Sequence, residues 1–251
     1  MNIDYYVAWI MVFLRSLGII IQLPVLAGRP LPVVMRVGLC MCLATLLAGI
    51  VPSAHVPENL GALAAAAGFE VMLGLVMGFM TRLTFDAVEM AGRIVSSEIG
   101  LTASPGLGIP QPTSEPVASL FASFAIICFF LLRGHEMLIS AFAHSFKMAP
   151  AGHAAFSADA ASTLIAATSH VIEIGVRLAA PFIGMNFLVT LAFSVMGRAV
   201  PKMNVFVIAF SARIFAGLGL LSAAGALLVR SLYIEFSDAP LRMLQLLPLH
   251  G

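Results

Sequence analysis

The sequence SSEIGLTASPGLGIPQPTSEP, residues 96–116, is the segment on which the interpretation of the whole chain depends. Five glycines or prolines stand between Gly100 and Pro110, so this segment can continue neither a helix nor a strand. Its other residues are nearly all apolar or uncharged, whereas hydrated linkers are usually polar. At membrane depth, irregular backbone persists only where it is buried in protein or lines an aqueous path. The segment therefore indicates a conduit or a binding site, and the alternative is a long surface loop.

The composition of the chain is typical of an integral membrane protein. Hydrophobic residues make up 61% of the 251 residues and charged residues only 10%, whereas a soluble domain carries about 25% charged residues. The formal net charge of +1 and the absence of a long basic run exclude nucleic acid as a partner. The first residues, MNIDYYVAW, hold no positive charge ahead of their apolar run, so we expect no cleaved signal peptide.

Apolar groups along the chain predict about six hydrophobic helices arranged as hairpins. The groups cover approximately residues 5–28, 33–53, 61–92, 117–143, 160–197 and 203–235. A perpendicular membrane span needs about 20 apolar residues, and charge or proline interrupts several of these groups. We therefore expect the helices to be covered mostly by other protein, not by lipid. The predicted fold class is an all-α integral membrane protein that forms part of a larger assembly.

A short basic turn, GRAVPK at residues 197–202, joins the last two apolar groups into a hairpin. Arg198 and Lys202 place two positive charges in this connection, and Pro201 interrupts the helical pattern between them. Cytoplasmic loops of membrane proteins carry an excess of Lys and Arg. The hairpin tip is therefore predicted to lie in the cytoplasm.

A stripe of charged residues precedes the irregular segment. It consists of Arg82, Asp86, Glu89 and Arg93, which fall within an arc of roughly 60° on one helix face, and Glu98 continues it toward the loop. The i,i+4 spacing allows an Arg82–Asp86 pair and a Glu89–Arg93 pair. We interpret the stripe as a helix face turned toward an aqueous lumen or a partner subunit. The alternative is the solvated face of a helix that emerges from the membrane.

Other charges stand alone inside the apolar groups. Glu173 and Arg177 are four residues apart and are predicted to pair within one helix. Arg15, Glu70 and Arg213 have no obvious local partner, and an unpaired charge at a lipid-exposed helix centre costs about 2.5–3.5 kcal/mol or more. These side chains must face protein, water or one another, and we predict a contact between Arg15 and Glu70. A proton relay is the functional alternative to such structural pairing.

No catalytic or metal-binding motif emerges from the sequence. His135, His144 and His153 are nine residues apart, a spacing that fits neither one helix face nor a usual zinc motif. The sequence contains no H-E-x-x-H, no G-x-S-x-G and no P-loop. We therefore expect no enzymatic activity, no cofactor and no metal.

The three cysteines, Cys40, Cys42 and Cys128, all fall in apolar groups. Their odd number argues against a disulfide framework. Cys40 and Cys42 are about 200° apart around a helix, so they cannot share a metal ion on one face. We interpret all three as small core residues.

Several stretches of the chain carry a family resemblance. They are Phe13-Leu-Arg15 followed by Gly18, Pro24, Pro32 and Arg36; GRIVSSEIGL at 92–101; Arg133-Gly134-His135; and PKMNVF at 201–206 continuing to GLGLL at 217–221. In their order and spacing they resemble the FliR family of flagellar export-gate proteins, whose counterpart in virulence-type secretion is the SctT family. The resemblance covers nearly the whole chain.

The resemblance implies a protein-export channel component and not an enzyme. It implies a single export-gate domain over residues 1–251, with a FliP-like part at about 1–159, a FliQ-like helical hairpin at 160–235 and a C-terminal tail at 236–251. The implied partners are FliP-like and FliQ-like membrane proteins in a shell around a pore, an FlhB-like export-gate protein, unfolded export substrates and the lipid bilayer.

The resemblance also implies a location in the bacterial inner membrane, at a flagellar basal body or a type III secretion base. Much of the assembled shell would stand above the inner bilayer, which would explain the interrupted hydrophobicity. The motifs do not distinguish a flagellar from a virulence-type system.

The plug loop of the family maps onto residues 100–116 of this chain. From the residue types we predict hinges at the glycines and an apolar underside formed by the leucines and the isoleucine. The predicted plug and hinge residues are Gly100, Leu101, Pro105, Gly106, Leu107, Gly108, Ile109 and Pro110. This loop is richer in proline and glycine than the family pattern.

A secondary transporter of small solutes is the main alternative. Such transporters carry discontinuous helices and inverted repeats around a midplane site. The absence of a detectable repeat and of a coupling-ion site in this sequence counts against that function. A membrane scaffold without a mobile plug is a further alternative.

Overall fold

The computed structural model describes residues 3–24, 32–49, 51, 59–101, 115–200 and 204–248. Within these ranges all regular secondary structure is helical, which confirms the predicted all-α class. The helices of the described residues are α1 (Ile3–Gln22), α2 (Val33–Ala48), α3 (Leu60–Ile99), α4 (Pro116–Leu131), α5 (Gly134–Met148), α6 (Ala160–Ala199) and α7 (Val205–Leu244).

The apolar group at 117–143 is divided into α4 and α5, so the six predicted groups give seven helices in the described residues. The division occurs because Arg133 has a φ of 58°, in the left-handed region that few residues other than glycine adopt. The carbonyl oxygen of Arg133 accepts hydrogen bonds from the backbone N–H groups of Glu136, at 3.0 Å, and Met137, at 3.2 Å. Arg133 therefore opens α5 and does not continue α4.

Other helix boundaries follow from ordinary local chemistry. Pro32 directly precedes α2, and the Asn59 side chain accepts a hydrogen bond from the backbone N–H of Gly61, at 3.1 Å, at the start of α3. At the other end of the chain, α7 continues through Pro240 to Leu244. Residues 236–244, which the resemblance places in a tail, are thus part of the last helix.

Four helices of the described residues are long and apolar enough to cross a membrane, namely α1, α3, α6 and α7. The bent pair α4 and α5 adds a fifth if it is counted as one span. Each of α3, α6 and α7 has 40 residues, a length of about 60 Å at 1.5 Å per residue. The hydrocarbon core of a bilayer is only about 30 Å thick. These three helices therefore extend beyond the hydrocarbon at any ordinary tilt.

The chain forms two compact units, and each is assembled from separated segments. Unit 1 comprises Met1–Thr84, Phe130–Thr168 and Glu235–Gly251, and unit 2 comprises Phe85–Phe129 and Ser169–Ile234. These units do not follow the division into 1–159 and 160–235 that the resemblance implies. That division remains a prediction about the relation of this chain to its companion families.

Glycines let α1 and α3 approach closely in unit 1. A Cβ atom on Gly18 of α1 would lie 2.6 Å from the backbone nitrogen of Leu75 in α3, and one on Gly74 would overlap the carbonyl oxygen of Arg15. Gly74 and Gly78 form a G-x-x-x-G pattern, which is typical of close helix contacts in membranes. The backbones of the two helices therefore touch without intervening side chains.

A buried ion pair joins the same two helices. Arg15 Nε donates to Glu70 Oε2 at 2.6 Å, and Arg15 Nη2 donates to Glu70 Oε1 at 3.0 Å. Both residues are fully buried. The backbone N–H of Gly152 donates a further hydrogen bond to Glu70 Oε1 at 2.8 Å. The predicted contact between Arg15 and Glu70 is thereby confirmed as a two-point ion pair.

The remaining contacts of Arg15 bring in α5. Its Nη1 donates to Ser145 Oγ at 3.0 Å, and its Nη2 also donates to the carbonyl oxygen of Ala149 at 3.0 Å. The guanidinium carbon lies 4.0 Å from the centroid of the Phe146 ring, within the range of a cation–π contact. Buried charge is tolerated only when it is paired and hydrogen-bonded, so this network fixes α1, α3 and α5 relative to one another.

The cysteine interpretation is right for two of the three residues. Cys40 and Cys128 are buried, whereas Cys42 is exposed, and all three are free thiols. The reason is the helical geometry: with Cys40 turned inward on α2, a residue two positions later points to the opposite side. The interpretation of Cys42 as a core residue was therefore wrong.

We expect Glu70→Gln to destabilise the protein by about 3–5 kcal/mol, because it leaves the Arg15 charge buried without its counter-charge. The thermal unfolding midpoint of the purified protein in detergent measures this loss. The matched control is Glu89→Gln on the same helix, where the ion pair with Arg93 is solvent-exposed and contributes little. Equal midpoints for the two variants would contradict the role of the buried pair.

Candidate functional site

The candidate site is the loop base, residues 96–101, which comprises the end of α3 and the last described residues before 102–114. Gly100 has a φ of 88°, which glycine adopts without strain. The backbone N–H of Leu101 donates to the carbonyl oxygen of Ser96 at 3.0 Å, and that of Gly100 donates to the carbonyl oxygen of Ser97 at 3.1 Å. This pair of hydrogen bonds is the Schellman motif that ends many helices. The first predicted hinge is thus the C-terminal cap of α3.

Apolar contacts fix the loop base against α7 within unit 2. Ile99 is fully buried, and a Cβ atom on Gly217 of α7 would lie 2.8 Å from Ile99 Cδ1. A Cβ atom on Gly100 would lie 3.2 Å from Cε2 of Phe210. Glycine at both positions therefore lets the end of α3 lie directly on the surface of α7.

Two further close contacts hold the last part of α3 in unit 2. A Cβ atom on Gly175 of α6 would lie 3.2 Å from the sulfur of Met90. A Cβ atom on Gly92 would lie 2.9 Å from Cβ of Phe121 in α4. The second half of α3 therefore packs against α4, α6 and α7, the helices that supply the rest of unit 2.

A hydrogen-bonded chain reaches the loop base from the side of α6. Asn186 Nδ2 donates to Glu98 Oε2 at 2.6 Å. Thr190 Oγ1, one turn farther along α6, donates to the carbonyl oxygen of Asn186 at 2.7 Å, and Arg213 Nη2 of α7 donates to Thr190 Oγ1 at 3.1 Å. We name Glu98, Asn186, Thr190 and Arg213 the polar chain. It links three helices within unit 2, and it gives Arg213 the partner that the sequence did not reveal.

The charged stripe on α3 is partly confirmed. Arg93 Nη2 donates to Glu89 Oε1 at 2.7 Å, and both side chains are exposed. Arg82 Nη1 donates to Gln22 Oε1 of α1 at 3.3 Å. The Glu89–Arg93 pair was predicted, whereas the contact of Arg82 with Gln22 was not. The pairing of Arg82 with Asp86 and the lumen-facing role of the stripe stay predictions.

The predicted intrahelical pair on α6 is present. Arg177 Nη2 donates to Glu173 Oε1 at 2.6 Å, and the side chains are exposed. His170 Nδ1 lies 3.2 Å from Glu173 Oε2 and adds a third member that sequence reasoning did not include. The result is a polar cluster on the outside of an otherwise apolar helix.

Several predicted site residues lie outside the described residues. Leu101, with 40% of its surface exposed, is the last described residue before the gap. At the hairpin tip, Arg198 lies in the last turn of α6. The residues outside the described ranges are Pro105, Gly106, Leu107, Gly108, Ile109, Pro110, Pro201 and Lys202.

The contribution of α6 and α7 to the loop base was not foreseen. Asn186 is a single amide within an apolar stretch, and polar groups inside membrane helices are usually paired. That signal was available, but it did not identify Glu98 as the partner. Gly217, in the sequence Gly217-Leu-Gly219, marks a close helix contact, although sequence alone does not say with which helix.

A cleft of about 510 Å³ lies in unit 1 between α5 and the last part of α7. It is lined by Glu136, Met137, Ser140, Ala141, His144, Ser237, Pro240 and Leu244. Its carboxylate, Glu136, already lies 3.7 Å from Arg133 Nη1. Among the described residues no three His, Cys, Asp or Glu side chains form a group that could hold a metal ion.

The chain is similar in sequence to several known proteins. Residues 6–239 match the family model described as bacterial export proteins, family 1. The chain is 27% identical over 225 residues to flagellar biosynthetic protein FliR of Escherichia coli (strain K12), which covers 88% of this chain and 86% of the relative. It is 29% identical over 201 residues to Yop proteins translocation protein T of Yersinia pestis, with 78% and 77% covered.

A second flagellar relative gives the same picture. The chain is 27% identical over 215 residues to flagellar biosynthetic protein FliR of Caulobacter vibrioides, which covers 84% of this chain and 86% of the relative. The similarity therefore extends through both units and includes relatives from flagellar and Yop-translocating systems.

We expect Gly100→Val to destabilise the protein by about 1–2 kcal/mol more than Gly100→Asn, because asparagine tolerates a positive φ and a β-branched residue does not. Both substitutions add a Cβ atom near Phe210, so their difference isolates the backbone strain. The thermal unfolding midpoint in detergent measures it.

The control makes the same two substitutions at Gly184, a glycine within α6 that has open space around it. The difference in unfolding midpoint between its valine and asparagine variants measures what the two side chains contribute without a positive φ. If the midpoints of the two Gly100 variants differ by no more than those of the Gly184 variants, the positive φ does not constrain the loop base.

Proposed function

We propose that this chain, which belongs to the family of bacterial export proteins, family 1, is a core subunit of a type III protein-export gate in the bacterial inner membrane. The observation that carries the proposal is the family match over residues 6–239. The glycine- and proline-rich sequence that follows the capped end of α3 supports it. Relatives named for flagellar biosynthesis and for Yop translocation both support a role in type III export. The proposal assigns this chain no catalytic step.

The surface of the chain supports a position among other subunits. In the most apolar 18-residue stretch of each of α3, α6 and α7, only 17–22% is buried. Ile172, Phe187 and Phe215 are more than half exposed. The exposed ion pairs on α3 and α6 would be unfavourable against lipid. The exposed apolar faces and the exposed charged faces both fit a shell of several subunits. In such a shell the apolar faces contact FliP-like and FliQ-like membrane proteins and lipid, and the charged faces contact water or protein.

The length of the long helices fits the same assembly. Because each extends well beyond the hydrocarbon core, part of each helix lies at the level of the headgroups or outside the bilayer. A shell that stands partly above the membrane accommodates such helices. An FlhB-like export-gate protein is the further partner that the family resemblance implies. The basic residue Arg198 near the tip of the α6–α7 hairpin is consistent with a cytoplasmic tip.

In the proposed mechanism, the loop at 100–116 is a plug for the closed channel. The loop leaves α3 at the rigid cap formed by Gly100 and returns to the membrane helices at Pro116, where α4 begins. Glycines and prolines in between allow a compact lid without regular backbone pairing. Its apolar residues Leu101, Leu107 and Ile109 exclude water and ions, and an unfolded export substrate displaces it.

Transport of a small solute is the competing assignment, and the family membership and the names of the relatives weigh against it. A gate subunit should need its partners for function, whereas a transporter purified alone should move solute into liposomes.

Deletion of residues 101–112 should leave the complex with its partners assembled and raise its ion conductance, because the deletion removes the plug. The measurement is single-channel conductance of the purified complex in planar bilayers, with the recovered amount of partner proteins as the check on assembly. A variant that changes Leu101, Leu107 and Ile109 to serine tests the apolar underside separately. A deletion complex that assembles fully yet conducts no more than the parent would exclude the plug.

A further inference from the structure

We propose that Asn186 of α6 is a positioning residue for the loop base, residues 96–101: by holding Glu98, it fixes the last turn of α3. This inference rests on the proposed function only for its consequence in gating. The positioning itself is a property of unit 2 and can be measured without any export assay.

Polar and apolar contacts converge on the last turn of α3. Glu98 is held from α6 by the 2.6 Å hydrogen bond from Asn186 Nδ2. The next residue, Ile99, is buried on Gly217 of α7, and Gly100 faces Phe210 of the same helix. Two kinds of contact from two helices therefore fix consecutive residues immediately before the loop.

The hydrogen bond between Asn186 and Glu98 is charge-assisted. A hydrogen bond that an amide donates to a carboxylate is stronger than one between two neutral groups. Glu98 is partly buried, so water has to replace this donor when Asn186 moves away. Asparagine at position 186 supplies a donor without a second charge, which neither leucine nor aspartate would do.

The polar chain continues beyond Asn186 to α7. Thr190 Oγ1 bonds the carbonyl oxygen of Asn186, and Arg213 of α7 bonds Thr190. Arg213 stands three residues after Phe210 and four before Gly217, so it shares their face of α7. The two helices of the α6–α7 hairpin are thus joined at the level of the loop base. A shift of α6 relative to α7 would strain this chain and loosen Glu98.

The test uses the full gate complex in native membranes, with Cys40, Cys42 and Cys128 changed to alanine and Ile99→Cys as a reporter. Ile99 is fully buried, so the rate at which a maleimide labels position 99 reports how often the loop base opens. Asn186→Asp removes the donor and places a second carboxylate beside Glu98. We expect it to raise the labelling rate by about tenfold, as expected for the loss of one charge-assisted hydrogen bond.

The double variant Glu98→Gln with Asn186→Asp is the decisive member of the series. The amide introduced at position 98 can donate to the carboxylate introduced at position 186, so a hydrogen bond between one amide and one carboxylate is restored with reversed polarity. We expect the labelling rate to return to within about twofold of the parent. Asn204→Asp, the same substitution at an exposed position beside the start of α7, is the matched control and should leave the rate unchanged.

If Asn186→Asp prevents assembly, Asn186→Ala removes the donor without adding charge and serves in its place, with a smaller expected increase. Unchanged labelling in both variants, or a double variant no slower than Asn186→Asp, would overturn the inference. Ion conductance of the complex that lacks residues 101–112 separates it from the proposed function. Faster labelling with rescue in the double variant, together with no added conductance in the assembled deletion complex, would support the positioning role and refute the plug.

Discussion

The ion pair of Arg15 and Glu70 is the constraint on which the packing of unit 1 depends. An isolated charge in an apolar interior is very unfavourable, so α1 and α3 must place these side chains in register, and glycines in both helices make that approach possible. The hydrogen bonds to Ser145 and Ala149 then leave little freedom for α5. Because Glu70 lies on α3, the first part of that helix is held against α1 and α5 within unit 1.

The loop base shows how α3 ends at a defined point. Gly100 ends α3 by a positive φ, and contacts from α6 and α7 hold the residues just before it. The cap by itself fixes only the backbone of the last turn. The polar chain and the close contact at Gly217 add contacts from two neighbouring helices of unit 2.

Local features were predictable from the sequence, and contacts between distant helices were mostly not. The pairs Glu89–Arg93 and Glu173–Arg177 follow from i,i+4 spacing, which is fixed by the helix itself. The contact of Arg15 with Glu70 was predictable because two unpaired charges in apolar helices must find partners. The Asn186 contact with Glu98, the left-handed Arg133 and the exposure of Cys42 depend on how helices pack and turn, which hydrophobic patterning does not specify.

Membership of an export gate is tested most directly by co-purification. The measurement is affinity purification of the tagged chain from native membranes in mild detergent, followed by mass spectrometry of the proteins that accompany it. We expect FliP-like and FliQ-like membrane proteins to be recovered with it in constant proportion. A solitary protein that keeps its thermal stability in the same detergent, with no companion membrane protein, would contradict the assignment as a gate subunit.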